Sequence, residues 1–74
     1  MKINVKDKSN EIIKFIREGL NLTQEELAKS IKISKSSIEK YEYGTVNYTF
    51  ETLLKIAHVY NLDIVISTNI KENK

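Results

Sequence analysis

The sequence contains no cysteine and no proline, only two glycines, and a single histidine, His58. Without cysteine there are no disulfides, and one histidine leaves no ordinary zinc cluster. The same absence suits a reducing cytoplasm, where the protein is expected to work. No run approaches the ~18 apolar residues that span a membrane, so no membrane partner is expected. Met1 to Asp7 lacks an apolar stretch long enough for a signal-peptide core. Charge of one sign is also missing, since 12 basic residues against 10 acidic leave a formal net charge of +2. That excludes a uniformly basic nucleic-acid coat, and any DNA-binding charge must be gathered on one face. No nucleophile–base pair, metal cluster or phosphate loop is visible, so neither an enzyme nor a cofactor is expected. There is no low-complexity tract, internal repeat or linker, and residues 1–74 are expected to form one domain. A core of that size is thinly stable, which leaves helix packing and oligomerisation as supports.

What is present is a globular balance, 41% apolar and 30% charged, arranged in short capped segments. Ile12, Ile13, Phe15, Ile16 and Leu20 recur at helical spacing. Ser9 or Asn10 can cap that helix, and Asn21, which tolerates a left-handed backbone, can end it. Thr23-Gln24-Glu25-Glu26 fits a capping box, with Leu22 and Leu27 at the positions of a hydrophobic staple. This second helix buries Leu27, Ala28 and Ile31 and runs to about Ser30 or Ile31. Ser34 repeats the device, with Ile33 and Ile38 as its staple. Ile38 and Tyr41 then point inward, and Gly44 stops the helix. Two capped helices so close together cannot stay collinear, so residues 23–44 are predicted to form a helix-turn-helix.

Thr49 can cap a fourth helix to Tyr60, with Phe50, Leu53, Leu54, Ile56, Ala57 and Tyr60 largely inward and Asn61 as its left-handed end. His58 is expected on its surface. The period then changes to an alternation of β-branched residues over 63–68, which reads as a strand. Met1 to Lys6 carries a weaker alternation through Ile3 and Val5. The predicted fold is all-α, a compact four- to five-helix bundle with a short C-terminal β-strand.

With Ile38 and Tyr41 buried, the third helix presents Ser34, Lys35, Ser36, Glu39 and Lys40 to solvent. A major groove admits one such helix and meets the residues near its N-terminus. Lys donates to guanine N7 and O6, Ser donates or accepts, and Glu39 could accept from cytosine N4 or simply lighten the positive charge. Tyr41, Phe50 and Tyr60 are expected in the core, and Tyr43 and Tyr48 nearer the surface.

Leu22-Thr23-Gln24-Glu25-Glu26-Leu27-Ala28 followed by Ser34-Lys35-Ser36-Ser37-Ile38-Glu39-Lys40-Tyr41-Glu42-Tyr43-Gly44 resembles the Cro/C1-type helix-turn-helix family. The likeness extends through Leu53-Leu54-Lys55-Ile56-Ala57 and covers roughly residues 9–66. It implies a phosphate contact from Gln24 and base contacts from Ser34, Lys35, Ser36 and Lys40. It also sets Tyr43 and the loop Thr45 to Tyr48, Asn47 included, along the DNA backbone. Arg17 and Glu42 match a salt bridge between the first and third helices, with Arg17 also a candidate for a nearby phosphate.

Three departures from the family pattern carry physical content. Lys32 stands where the turn usually has glycine, at a cost on the order of 1–2 kcal/mol if the backbone there is left-handed. The loop after Gly44 lacks the usual proline. The strand-like Asp63 to Thr68 replaces a fifth helix and resembles the antitoxin-like branch, whose terminal strand pairs across a dimer. The tail at about 62–70, through Ile64, Val65 and Ile66, is accordingly expected to form a homodimer strand in preference to an intrachain pair with Ile3 and Val5. The resemblance implies a regulator of transcription that binds double-stranded DNA, most simply a repressor on a pseudo-palindromic operator. The alternative is an antitoxin that neutralises a toxin protein and represses its own operon.

Overall fold

The caps and apolar stripes become four helices in a computed structural model that describes residues 2–4 and 9–65. They are α1 (Ser9–Gly19), α2 (Gln24–Ser30), α3 (Lys35–Tyr43) and α4 (Phe50–Tyr60), flanked by the strands β1 (Lys2–Asn4) and β2 (Asp63–Val65). The fold is all-α with a minimal sheet at its edge, and no fifth helix occurs among the described residues.

The helix starts follow the side-chain caps. Thr23 Oγ1 accepts from the Glu26 amide at 3.0 Å, and Glu26 Oε1 accepts from the Thr23 amide at 2.8 Å, completing the capping box. Ser34 and Thr49 cap α3 and α4 through the Ser37 and Thr52 amides, each at 3.1 Å. Ser9 and Asn10 lie inside α1 rather than before it, so its cap falls outside the described residues.

All four helices end alike. An amide just past the end bonds a carbonyl five residues back: Leu22 to Arg17, Ile33 to Ala28, Thr45 to Lys40 and Leu62 to Ala57. This closure requires a left-handed residue just before the donor. Asn21, Lys32, Gly44 and Asn61 supply it, with φ of 61°, 61°, 88° and 56°. Only one of the four is glycine. Lys32 therefore carries the strain expected of it, held by the bonds that reverse the chain between α2 and α3.

The core joins one stripe from each helix: Ile12, Ile13 and Ile16; Leu27, Ala28 and Ile31; Ile38; Leu53 and Ile56. Tyr41 and Tyr60 pack half-buried against it. Two residues expected inward are not, Phe50 at 51% and Leu54 at 47% exposed, and Phe15 of the apolar series on α1 is 59% exposed. The α4 stripe that meets the core is narrow, running through Leu53, Ile56, Ala57 and Tyr60. Phe50 and Leu54 sit on its flank, where no described element covers them. Tyr48, expected near the surface, is half-buried, its ring edge-on to Tyr41 with centroids 6.1 Å apart.

β1 and β2 pair in parallel with Ile3 opposite Ile64. Parallel strands need a long crossover, and here the four helices are that crossover. One edge of β2 is thus taken within the chain, the arrangement that the sequence left second to a dimer strand. Ile66 and the rest of the predicted strand and tail lie outside the described residues.

Candidate nucleic-acid interface

α3 is a nine-residue helix, too short to hold its shape or direction unaided. Its back is fixed by Ile38, fully buried, and by Tyr41 against the core. Its ends are fixed by Ser34 and Gly44. The opposite face, with Ser34, Lys35, Ser36, Glu39, Lys40 and Tyr43, is exposed, and Tyr43 is 86% accessible. The loop residues Thr45, Val46 and Asn47 continue this exposed surface beyond Gly44.

Glu42 connects this helix to the two before it. Its carboxylate accepts from Arg17 Nε at 2.7 Å and Nη2 at 3.1 Å, and from Gln24 Nε2 at 3.1 Å. A planar guanidinium and a carboxylate match in such a fork, which fixes orientation as well as adding energy. The third guanidinium nitrogen, Nη1, donates to the Leu22 carbonyl at 2.9 Å. With its side chain 14% exposed, Arg17 directs three of its five N–H donors to Glu42 and Leu22. The hydrogen bond to Glu42 raises the pKa of Arg17 against the opposing effect of burial, so the guanidinium keeps its charge. Gln24 is half-buried, with its amide nitrogen turned toward Glu42 and one N–H left over.

Gln24, Glu42, Glu39 and Tyr43 border an open groove of about 350 Å³, and α1 contributes Lys14 to its rim. Sequence pattern alone does not single out Lys14, which reads as one lysine on a solvated helix face. The available signal is its spacing three residues before Arg17, on the side of α1 that turns toward α3. Lys35 lies one turn from Glu39 with Nζ 3.8 Å from Oε2, both side chains about half-exposed. Lys32 borders a second, smaller groove with Ser30, Ile31, Lys55 and Val59. Burial raises the pKa of the Tyr48 hydroxyl at the base of the exposed loop.

The remaining candidate residues lie elsewhere. Ile64 is half-buried against the core and Val65 is 39% exposed, at the β2 end of the molecule. His58 is exposed on α4. Among the described residues no group of acidic, histidine or cysteine side chains is arranged to hold a metal, and no helix is long and apolar enough to cross a membrane.

Known proteins share the stretch of chain that builds this geometry. The family described as helix-turn-helix matches residues 13–66, from within α1 past the end of β2. A 55-residue stretch covering 74% of the chain is 36% identical to BcrR, an HTH-type transcriptional activator of Enterococcus faecalis, and spans 27% of that protein. A 52-residue stretch covering 70% of the chain is 40% identical to an uncharacterized HTH-type transcriptional regulator of Archaeoglobus fulgidus, and spans 73% of it.

Proposed function

The chain belongs to the helix-turn-helix family of the Cro/C1 type, and from that premise we propose that it is a sequence-specific regulator of transcription that binds double-stranded DNA through α3. The observation that carries this reading is the contrast between the two faces of α3. Its back is locked by Ile38 and the Arg17–Glu42–Gln24 cluster, while its front offers short and cationic side chains free of the core. A helix so presented fits a major groove. Lys35, Ser36 and Lys40, with Ser34 at the tip, take the base edges. Gln24, Tyr43 and Asn47 take phosphates, with Lys14 beside them.

The protein acts as a homodimer on a pseudo-palindromic operator, with half-sites about one helical turn, ~34 Å, apart. The edge of β2 that no described residue pairs with and the tail beyond it, through Ile64, Val65 and Ile66, form the contact between copies. Two copies double the phosphate contacts and answer the thin stability of a small core. Covering a promoter needs only occupancy, so repression is the mode we assign. BcrR is named an activator, but the chain matches only 27% of its length, so that sign of regulation does not carry over. The pairing of β1 with β2 ties the two flanks of the helical core together, which supports the reading of one domain.

Selection of bound duplexes from a random pool, followed by the mass of the purified complex, tests site and stoichiometry together. The expected outcome is a two-fold related motif holding two chains, with affinity falling steeply as salt rises. Equal binding of every duplex at moderate salt would refute sequence-specific recognition.

A further inference from the structure

Glu39 poses a problem on a surface meant for DNA. A carboxylate brought against a polyanion is unfavourable unless it meets a hydrogen-bond donor. The major groove offers few donors, the amino groups of cytosine N4 and adenine N6. Glu39 is not consumed by the fold either. α3 is capped without it, and among the described residues its one ion-pair partner is Lys35, at 3.8 Å. That pair is half-exposed at both ends and has the lysine on the N-terminal side, the weaker order for such a pair on a helix.

A cation and an anion held side by side form a pattern complementary to one base-pair edge. Across the major groove a G·C pair presents two acceptors, guanine N7 and O6, and next to them a donor, cytosine N4. Resting on the DNA-binding reading above, we infer that Lys35 and Glu39 act as one unit that reads a single G·C pair: Lys35 donates to guanine and Glu39 accepts from cytosine. Glu39 is then a specificity-determining residue with two effects. It adds a contact at the correct pair, and it weakens binding wherever no amino group faces it.

The test uses the duplex that the wild-type chain selects from a random pool. It is compared with a copy in which 2-pyrimidinone, which lacks the N4 amino group, replaces the cytosine under α3. A third duplex has that pair changed to A·T, and a fourth is unrelated in sequence. Wild type should lose about tenfold in affinity with 2-pyrimidinone. Glu39→Ala should lose nothing further on that substitution, should bind the unrelated duplex more tightly than wild type does, and should discriminate less against A·T. Thermal melting of the variant establishes that the exposed substitution leaves the fold intact. If Glu39→Ala tightened all four duplexes by one common factor, Glu39 would be only a solvated charge and the inference would be overturned. A selected motif with no fixed G·C pair under α3 would overturn it as well. If wild type enriched no duplex at all, the DNA-binding reading itself would fail, a result distinct from both.

Discussion

Removing the carboxylate of Glu42 should cost far more stability than an ordinary surface charge. Its side chain is 7% exposed and that of Arg17 is 14% exposed. Glu42→Ala leaves the guanidinium with the Leu22 carbonyl as its remaining partner and removes the acceptor of the Gln24 amide. Breaking a fully buried pair typically costs about 3–5 kcal/mol, and breaking a solvated one about 0–1. Arg17 keeps an edge in water, so the cost should fall between these limits, at about 2–3 kcal/mol. A chain of 74 residues has a total stability of roughly 4–11 kcal/mol. The melting temperature should therefore drop by roughly 10–20 °C. Glu42→Gln keeps the shape but removes the counter-charge and turns an N–H toward Arg17 or Gln24, and should lose about 1.5–2 kcal/mol. Arg17→Met with Glu42→Leu should recover most of the loss, because two apolar groups replace two charges and strand neither. The assay is urea unfolding followed by far-ultraviolet circular dichroism, at one protein concentration and neutral pH. Glu42→Ala within about 0.5 kcal/mol of wild type would mean that water screens the pair. A double variant no better than the worse single would mean that the strain lies elsewhere.

The other predictions concern single sites. Lys32→Gly should raise stability by about 0.5–1 kcal/mol, because glycine accepts the φ of 61° without a Cβ clash but loses more chain entropy on folding; a lower urea midpoint would refute left-handed strain there. The raised pKa of Tyr48 comes from burial, which favours its neutral form in the folded chain. Its contribution is therefore full below the ordinary tyrosine value near 10 and is lost as pH rises above it. Tyr48→Phe should accordingly gain stability relative to wild type in that alkaline window and not near neutrality, as read by melting at a series of pH values. Lys14→Ala should weaken binding to all duplexes alike and reduce the slope of log affinity against log salt by about 1, whereas Lys35→Ala should cost about 1–3 kcal/mol at one base position. Filter binding across a salt series separates the two, and sequence-selective loss in Lys14→Ala would remove it from the phosphate contacts.

The elements were legible because their signals are local. Thr23 with Glu26, Ser34, Thr49, Gly44, Asn21 and Asn61 each act on the backbone within a few residues, so their chemistry can be read in order along the chain. Stripe width is not local. Phe50 and Leu54 share the apolar side of α4 with Leu53, Ile56 and Ala57 only in projection, and whether they are covered depends on which element packs there. Tyr48 lies in a loop with no period to read, and its packing on Tyr41 follows from how the chain returns from Gly44 to Thr49. The partner of β2 could be named from the sequence only as a second choice, since three alternating residues pair with any available edge and only the folded chain brings Ile3 beside Ile64.

The candidate site divides along the same line. The exposed residues of α3 follow from helical spacing once Ile38 and Tyr41 are assigned to the core. The groove that joins Lys14, Gln24 and Tyr43 does not, because it depends on the angles between three helices. Those angles converge on one side chain. Glu42 stands on α3, binds Arg17 of α1 and holds Gln24 of α2, so a single carboxylate sets the recognition helix against both neighbours. A helix of nine residues has little stiffness or orientation of its own. The direction in which Lys35, Ser36 and Lys40 point is therefore a property of the Glu42 cluster and the Ile38 contact, and a change there should alter DNA affinity even where the exposed face of α3 is untouched.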